Sequence, residues 1–574
     1  MNTDRLGCFA TLVLVWRIIL TYVIMVIVVI IVVWIILVVA WLFIPVLRAL
    51  PHLKLGNAKI AKRDFKGAIN DFNKAVDRAP AVGLLYRGNA KRADGDLVGA
   101  LADYDRAVPL VKGKSPDIFN ARGLAKNAMG TLDDAIADFS KAIELRPKYG
   151  EAYNNRARAR QKKGDLAGAI VDFDKALKFK PDNAGFYCNR GTAKLAQGDL
   201  NGAIADFDRA LKLKPNSEGF YCHRGSAKRT KGDFDGAIAD FSKAIELRPK
   251  SSVAYNSRAL ARQGKKDFPG AILDIGKALE GEPNNAIFYH NRGDIRRAQG
   301  DLDGAITDFN KAIELKPDYA EAYHGRGNTR RDKKDFDGAI TDLSEALRLV
   351  LSSREIVLCN LGFAKSLKGD HRGALADLDE AVALRPDFDT FRSRAMTRRS
   401  SGDFDGAISD FTKAIQLKPD LAGAYHGRAK CKQSKGDLDG AIADFDATLR
   451  FTSYDNTTRE VVLSNRGIAK HAKGDDDGAL ADFDEAIGLN KTFAVAYFSR
   501  GIIKKEQGDL SGAIEDYTRA IEIRPEYAAA YKKRAAVKNI IGDIDGENAD
   551  LARAAEFSEE ENPGKNLDDE FPPT

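Results

Sequence analysis

Cys188, Cys222, His290, His324, Cys359 and His426 carry the softest ligand atoms in this sequence, and a thiolate or imidazole could hold a transition metal. Consecutive members stand 34 or 35 residues apart, or about twice that. Metal ligands must converge to about 2.0–2.3 Å from one ion. Residues separated by a whole structural repeat cannot, so neither a metal nor another cofactor is expected. Asn155, Asn189, Asn291, Asn360 and Asn465 fall near the same interval, and an amide can donate to and accept from an extended peptide backbone. Arg recurs thirteen times, from Arg87 and Arg122 to Arg500 and Arg534, each time sixteen residues before an Asp such as Asp103, Asp138, Asp516 or Asp550. Guanidinium and carboxylate suit two-point bonding, which predicts a ladder of paired charges. The rival reading is an unpaired Arg row that binds acidic ligands. No Ser/His/Asp set stands outside these periodic positions and no phosphate-binding glycine loop occurs, so no catalytic residue is expected.

The interval itself dictates the architecture. Residues 286–319 show the unit: apolar periodicity over Ala286–Gln299 predicts a helix, Gly300-Asp301 a turn, Leu302–Leu315 a second helix, and Lys316-Pro317 a stop. Counting Ala286 as unit position 1, Ala305 is position 20, and its equivalents run from Ala68 and Ala100 to Ala479 and Ala513, with Glu547 in the last unit. Small residues at positions 8, 20 and 27 let two helices approach, aromatics at 4 and 24 fill the space between pairs, and stability must come from stacking on neighbours. Gly300 can take the left-handed conformation that ends one helix, and Asp301 can accept the backbone N–H groups that start the next.

This pattern, with Tyr289, Gly293, Ala305, Phe309, Ala312 and Pro317 at positions 4, 8, 20, 24, 27 and 32, resembles the tetratricopeptide repeat family from about residue 50 to 555. The resemblance implies an all-α fold, a right-handed superhelical solenoid of about fifteen helix pairs whose first helices line a concave groove. It places unit positions 2, 5, 6, 9 and 12 toward a partner. Position 6 holds the five Asn named above, similar to the Asn ladder of O-GlcNAc transferase repeats, with His223, Ser257, Gly325 and Gly427 as interruptions. Position 5 holds Cys188, Cys222, His290 and His324. The chaperone-type carboxylate clamp, Lys at position 5 with Asn at 9, occurs in no unit. Position 7, usually Leu in the family, is Arg in thirteen units.

Ahead of the repeats, Ile18–Ile44 are 27 residues without a charge, 21 of them Ile, Leu, Val or Phe. Insertion of such a run is favoured by on the order of 6–12 kcal/mol, and its length exceeds a hydrocarbon core of about 30 Å. A retained transmembrane helix is expected over 18–44, behind a flank at 1–17, with Pro45 breaking it at the interface; the run is too long for a cleaved signal. Lys and Arg after the span outnumber those before it, which places the array in the cytoplasm as a single-pass membrane protein.

Position 32 lacks Pro at Lys112, Leu351 and Ser453 and the period stretches nearby, so the array of 50–555 is expected to break near 109–116, 350–355 and 451–460. The acidic stretch 556–574 reads as a disordered tail behind a polar last unit. Of the net charge of +7, the first fifty residues carry +2 and the last nineteen −6. The excess left in between is thinly spread, without the basic stripe that nucleic acid demands. Five cysteines without a CxxC pair fit a reducing compartment. The expected function is a membrane-anchored interaction scaffold that recruits proteins or extended peptides. Its rivals are a substrate-recruiting subunit of an enzyme complex and a self-assembling spacer that contacts its own copies.

Overall fold

The computed structural model describes residues 3–350, 353–451 and 458–558. The described residues form thirty α-helices and no strand. Consecutive helices pack as antiparallel pairs, and each pair packs on the next within two compact units, Met1–Pro283 and Asn284–Thr574.

In the second unit the pair Ala286–Gln299 and Leu302–Leu315 shows how sequence becomes structure. Gly300 ends the first helix at φ 93°, a conformation that L side chains resist. Asp301 Oδ1 accepts from Gly304 N at 2.9 Å and starts the second helix. Gly at position 19 lets the carboxylate lie over it: a Cβ on Gly304 would stand 2.1 Å from Asp301 Oδ2, so a larger residue would displace the cap. The same Asp-x-x-Gly cap recurs in every unit but the one begun by Thr131, which makes no side-chain cap bond. Ala305, Phe309 and Ala312 are fully buried, and Gly293 gives way to the Phe309 ring. Tyr319 and Ala322, from the following pair, then close over Ala312.

In the first unit, α1 (Thr3–Ala61) carries the apolar stretch Leu14–Val39, whose mean hydropathy is 3.6 and whose side chains face outward. By length and composition it can cross a membrane. Pro45, expected to break the helix, lies inside it, as does Pro51. Tertiary packing outweighs the local cost of proline here. Ala49 and Leu53 are buried against Ala68, Phe72 and Ala75 of α2 (Phe65–Arg78), so the end of α1 is itself the first helix of the first pair.

Of the three expected irregular loops, residues 111–115 form a turn in which Lys112 and Gly113 have φ of 51° and 66°. Residues 351–352 and 452–457, at the centre of the other two, lie outside the described residues, and so does the tail from 559 onward. The last helix runs Ile544–Ser558.

Candidate partner-binding face of the first helices

The Arg and Asp rows meet in every unit that has both. Arg258 Nε donates to Asp274 Oδ2 at 2.9 Å and its Nη2 to Oδ1 at 2.7 Å. All thirteen arginines make this two-point bond, Arg87 to Asp103 at one end and Arg534 to Asp550 at the other. Two partners escaped the sequence reading. Arg262, at position 11, reaches the same carboxylate at 2.9 Å and donates to the carbonyl of Gly270. Arg258 Nη1 extends to Ser242 Oγ of the preceding pair at 3.0 Å, while its guanidinium lies over the Tyr255 ring. Arg258 is thus fixed on four sides, and in all thirteen units the carboxylate bond occupies Nε and Nη2, which are not free for an acidic ligand. The signal for the position 11 cation was present, since Lys or Arg occupies it in all fifteen units.

The carboxyls of Asp550, in a unit with Arg, and Asp377, in a unit without it, shift in opposite directions. Burial would raise the Asp550 carboxyl, but hydrogen bonds from Arg534 and Lys538 bring it below the usual carboxylate range. At Asp377, Leu361 stands in the Arg position and Lys365 alone opposes burial, which wins and raises the carboxyl.

The position 5 residues line the core more than they offer reactive groups. Cys188 packs among Ala203, Phe207 and Ala227, and burial pushes the thiols of Cys188, Cys222 and Cys359 up to about 11. No group of three side chains able to hold a metal occurs among the described residues. The position 6 amides bond sideways to position 5 of the preceding pair. Asn155 Nδ2 donates to Asn120 Oδ1 and Asn189 Nδ2 to Asn154 Oδ1, both at 2.9 Å. Asn360 and Asn465 place Nδ2 3.0 Å from Nε2 of His324 and His426. Asn291, at the same unit position, is half-buried.

In the second unit these contacts condense into a polar cluster across three first helices, Ala286–Gln299, Ala320–Asp332 and Arg354–Lys368. His290 Nε2 lies 3.3 Å from Asp294, while Arg297 and Arg331 both reach Asp332, at 3.1 and 3.0 Å. Arg331 Nη1 also donates to Asn360 Oδ1 at 3.2 Å. His290 Nδ1, Arg297 Nε and Asn328 Oδ1 are buried in this cluster without a protein partner. Such orphaned groups cost about 1–3 kcal/mol each unless something completes them. The cluster sets hydrogen-bond donors and acceptors side by side on three adjacent helices.

Burial, then Arg297 and Arg331, depress His324 to about 4. Its unfolded value is the higher of the two, so stability is intact above about pH 6.5 and is lost as the pH falls toward 4, by up to about 3 kcal/mol. The opening free energy of 320–332, taken from hydrogen exchange after correction for the intrinsic amide rate at each pH, should therefore fall between about pH 6.5 and 4, and His324→Gln should remove most of that dependence. An unchanged pH profile in the variant would show that His324 is not its source.

Models described as TPR repeat match residues 123–164, 158–198, 293–330 and 501–538. Models described as tetratricopeptide repeat match 53–116, 184–217, 219–251 and 392–456. No curated protein matches the sequence. Among solved structures, yeast Tom70 is 22% identical over 69% of this chain and 96% of its own, with a TM-score of 0.38. Cut9–Hcn1, a hetero-tetramer of the APC/C, is 13% identical over 85% and 96%, with a TM-score of 0.46. A tetratricopeptide repeat protein from Parabacteroides merdae is 20% identical over 44% and 99%, with a TM-score of 0.40. With the 34-residue interval, the helix pairs and the family matches in agreement, this chain belongs to the tetratricopeptide repeat family, its array preceded by an apolar helix long enough to cross a membrane.

Proposed function

We propose that this chain is a membrane-anchored scaffold that recruits a partner protein or an extended peptide along its first helices. The observation that carries the reading is the polar cluster of Ala286–Lys368, where His290 Nδ1, Arg297 Nε and Asn328 Oδ1 are buried and unanswered. A bound backbone presents both N–H and C=O groups at regular steps and can bond the partly exposed His290, Arg297 and Arg331 side chains of this cluster. Asn155, Asn189, Asn291, Asn360 and Asn465, with Cys222 and His324, form the rest of the recruiting face, and Cys188 is buried behind it. The recurring charged residues are engaged in holding helix pairs together, which supports binding over chemistry. α1 serves as the single membrane span, and the excess of Lys and Arg after it puts the array in the cytoplasm.

A photoreactive side chain placed at residue 189 or 291 of the full chain in cells should capture a set of proteins that the same probe at Lys243, exposed on a second helix, does not. Identical sets from the two surfaces would sink the recruiting face. Capture of the chain's own copies would favour a self-assembling spacer.

A further inference from the structure

The apolar helix and the first repeat are one element. α1 leaves Leu14–Val39 and runs unbroken to Ala61, and Ala49 and Leu53 on that same helix are buried in the first pair. From Ile44, the last residue of the uncharged run, to Arg48 is four residues, about 6 Å along a helix axis. The headgroup layer beyond the hydrocarbon is about 5–7 Å deep on each side. α2 runs back antiparallel, and its last residue, Arg78, donates from Nη1 to the carbonyl of Arg48 at 3.2 Å and touches His52. Arg78 therefore stands level with Arg48.

The next connection returns to this edge. Val76, near the end of α2, and Val111, after the helix Leu97–Leu110, belong to one core cluster with Ala107 and Ile118. The turn that follows is the irregular one, and it displays Lys112 and Lys114 to solvent behind a Leu110 that is 54% exposed. Between Arg48 and Arg78 eight Lys and Arg stand against three Asp, and from Leu110 to Pro116 two Lys stand against no acid.

We propose that this edge, formed by Arg48, Arg78, Lys112 and Lys114 with Leu110 beside them, rests on anionic phospholipid headgroups. It fixes the first two helix pairs against the bilayer. The proposal depends on α1 spanning the membrane. Attraction to an anionic surface fades within about 8 Å at physiological salt. That range favours these four cations, with Lys74 about 6 Å behind Arg78 on α2, over Lys62 and Arg63 just past the end of α1, which lie roughly 20 Å further along the axis. Leu110, 54% exposed beside them, can bury its side chain at the boundary between headgroups and acyl chains.

The test uses the full chain in lipid nanodiscs of phosphatidylcholine, alone or with phosphatidylserine added, and follows hydrogen exchange over 14–39 and 111–116. With the anionic lipid, exchange at 111–116 should slow several-fold, and the slowing should vanish at high salt and in K112E/K114E, whose exposed sites leave the fold intact. Equal exchange in the two lipids, with 14–39 protected in both, overturns the headgroup contact and leaves the anchor standing. Slowing that persists in K112E/K114E also overturns it. Free exchange over 14–39 overturns the anchor and the contact together.

Discussion

Asp240→Ala should open the array around residues 218–250 by about 3–5 kcal/mol, while Arg224→Leu, which cuts the same pair from the other side, should cost roughly 1–2 kcal/mol. The asymmetry comes from what each change leaves behind. Asp240 is only 4% exposed and holds both Arg224, at 2.9 and 2.5 Å, and Lys228, at 2.9 Å. Without it, two largely buried cations face each other, and only the exposed Asp208 at Arg224 Nη1 remains as a counter-charge. Removing Arg224 leaves Asp240 paired with Lys228 and forfeits one bond to Asp208 in the preceding pair. The chain already contains that arrangement twice: Leu55 and Leu361 stand in the Arg position, and Asp71 and Asp377 keep Lys59 and Lys365 at 2.8 and 2.6 Å. Because repeat arrays open locally, the measurement is the opening free energy from hydrogen exchange over 218–250. Equal costs for the two variants would mean that Lys228 alone does not hold Asp240 and that the guanidinium is as necessary to the node as the carboxylate.

What sequence reveals here depends on whether a contact lies within one repeat or between two. The caps at Gly300 and Asp301 and the packing of Gly293 against Phe309 follow from spacing inside a single unit, and both are legible. The Arg–Asp bond is legible for the same reason, since sixteen residues always separate its partners. The third guanidinium contact crosses to the preceding pair, where Asn73, Asp105, Ser140 and Thr412 share only the ability to accept a hydrogen bond. A search for recurring residue types overlooks such a position. The sideways bonds of Asn155, Asn189, Asn360 and Asn465 are hidden likewise: their partners lie 35 to 39 residues away, in a register set only when one pair stacks on the next. Pro45 misleads in the opposite direction. Its local rule is sound, but the burial of Ala49 and Leu53 against α2 is a tertiary fact.

Phe241→Ala should cost about 3–5 kcal/mol, and Leu551→Ala, at the same unit position of the last pair, less than about 1 kcal/mol. Phe241 is fully buried between its own pair and the next, against Ala237 and Ala261, and its ring lies where a Cβ on Gly225 would stand 2.9 Å away. Truncation there leaves a cavity walled by two repeats, so residues 218–264 should exchange faster together. Leu551 is 45% exposed, because no further pair follows it among the described residues. The last unit is pared down to match. Glu547 replaces the buried Ala at position 20, and an exposed Ala555 stands where the buried Ile245 sits in the unit of Phe241. The contrast isolates the contribution of stacking, since both side chains occupy the same place in their own helix pair. If the two variants lose similar stability by local hydrogen exchange, each pair holds its own core and the array is not held together by its neighbours.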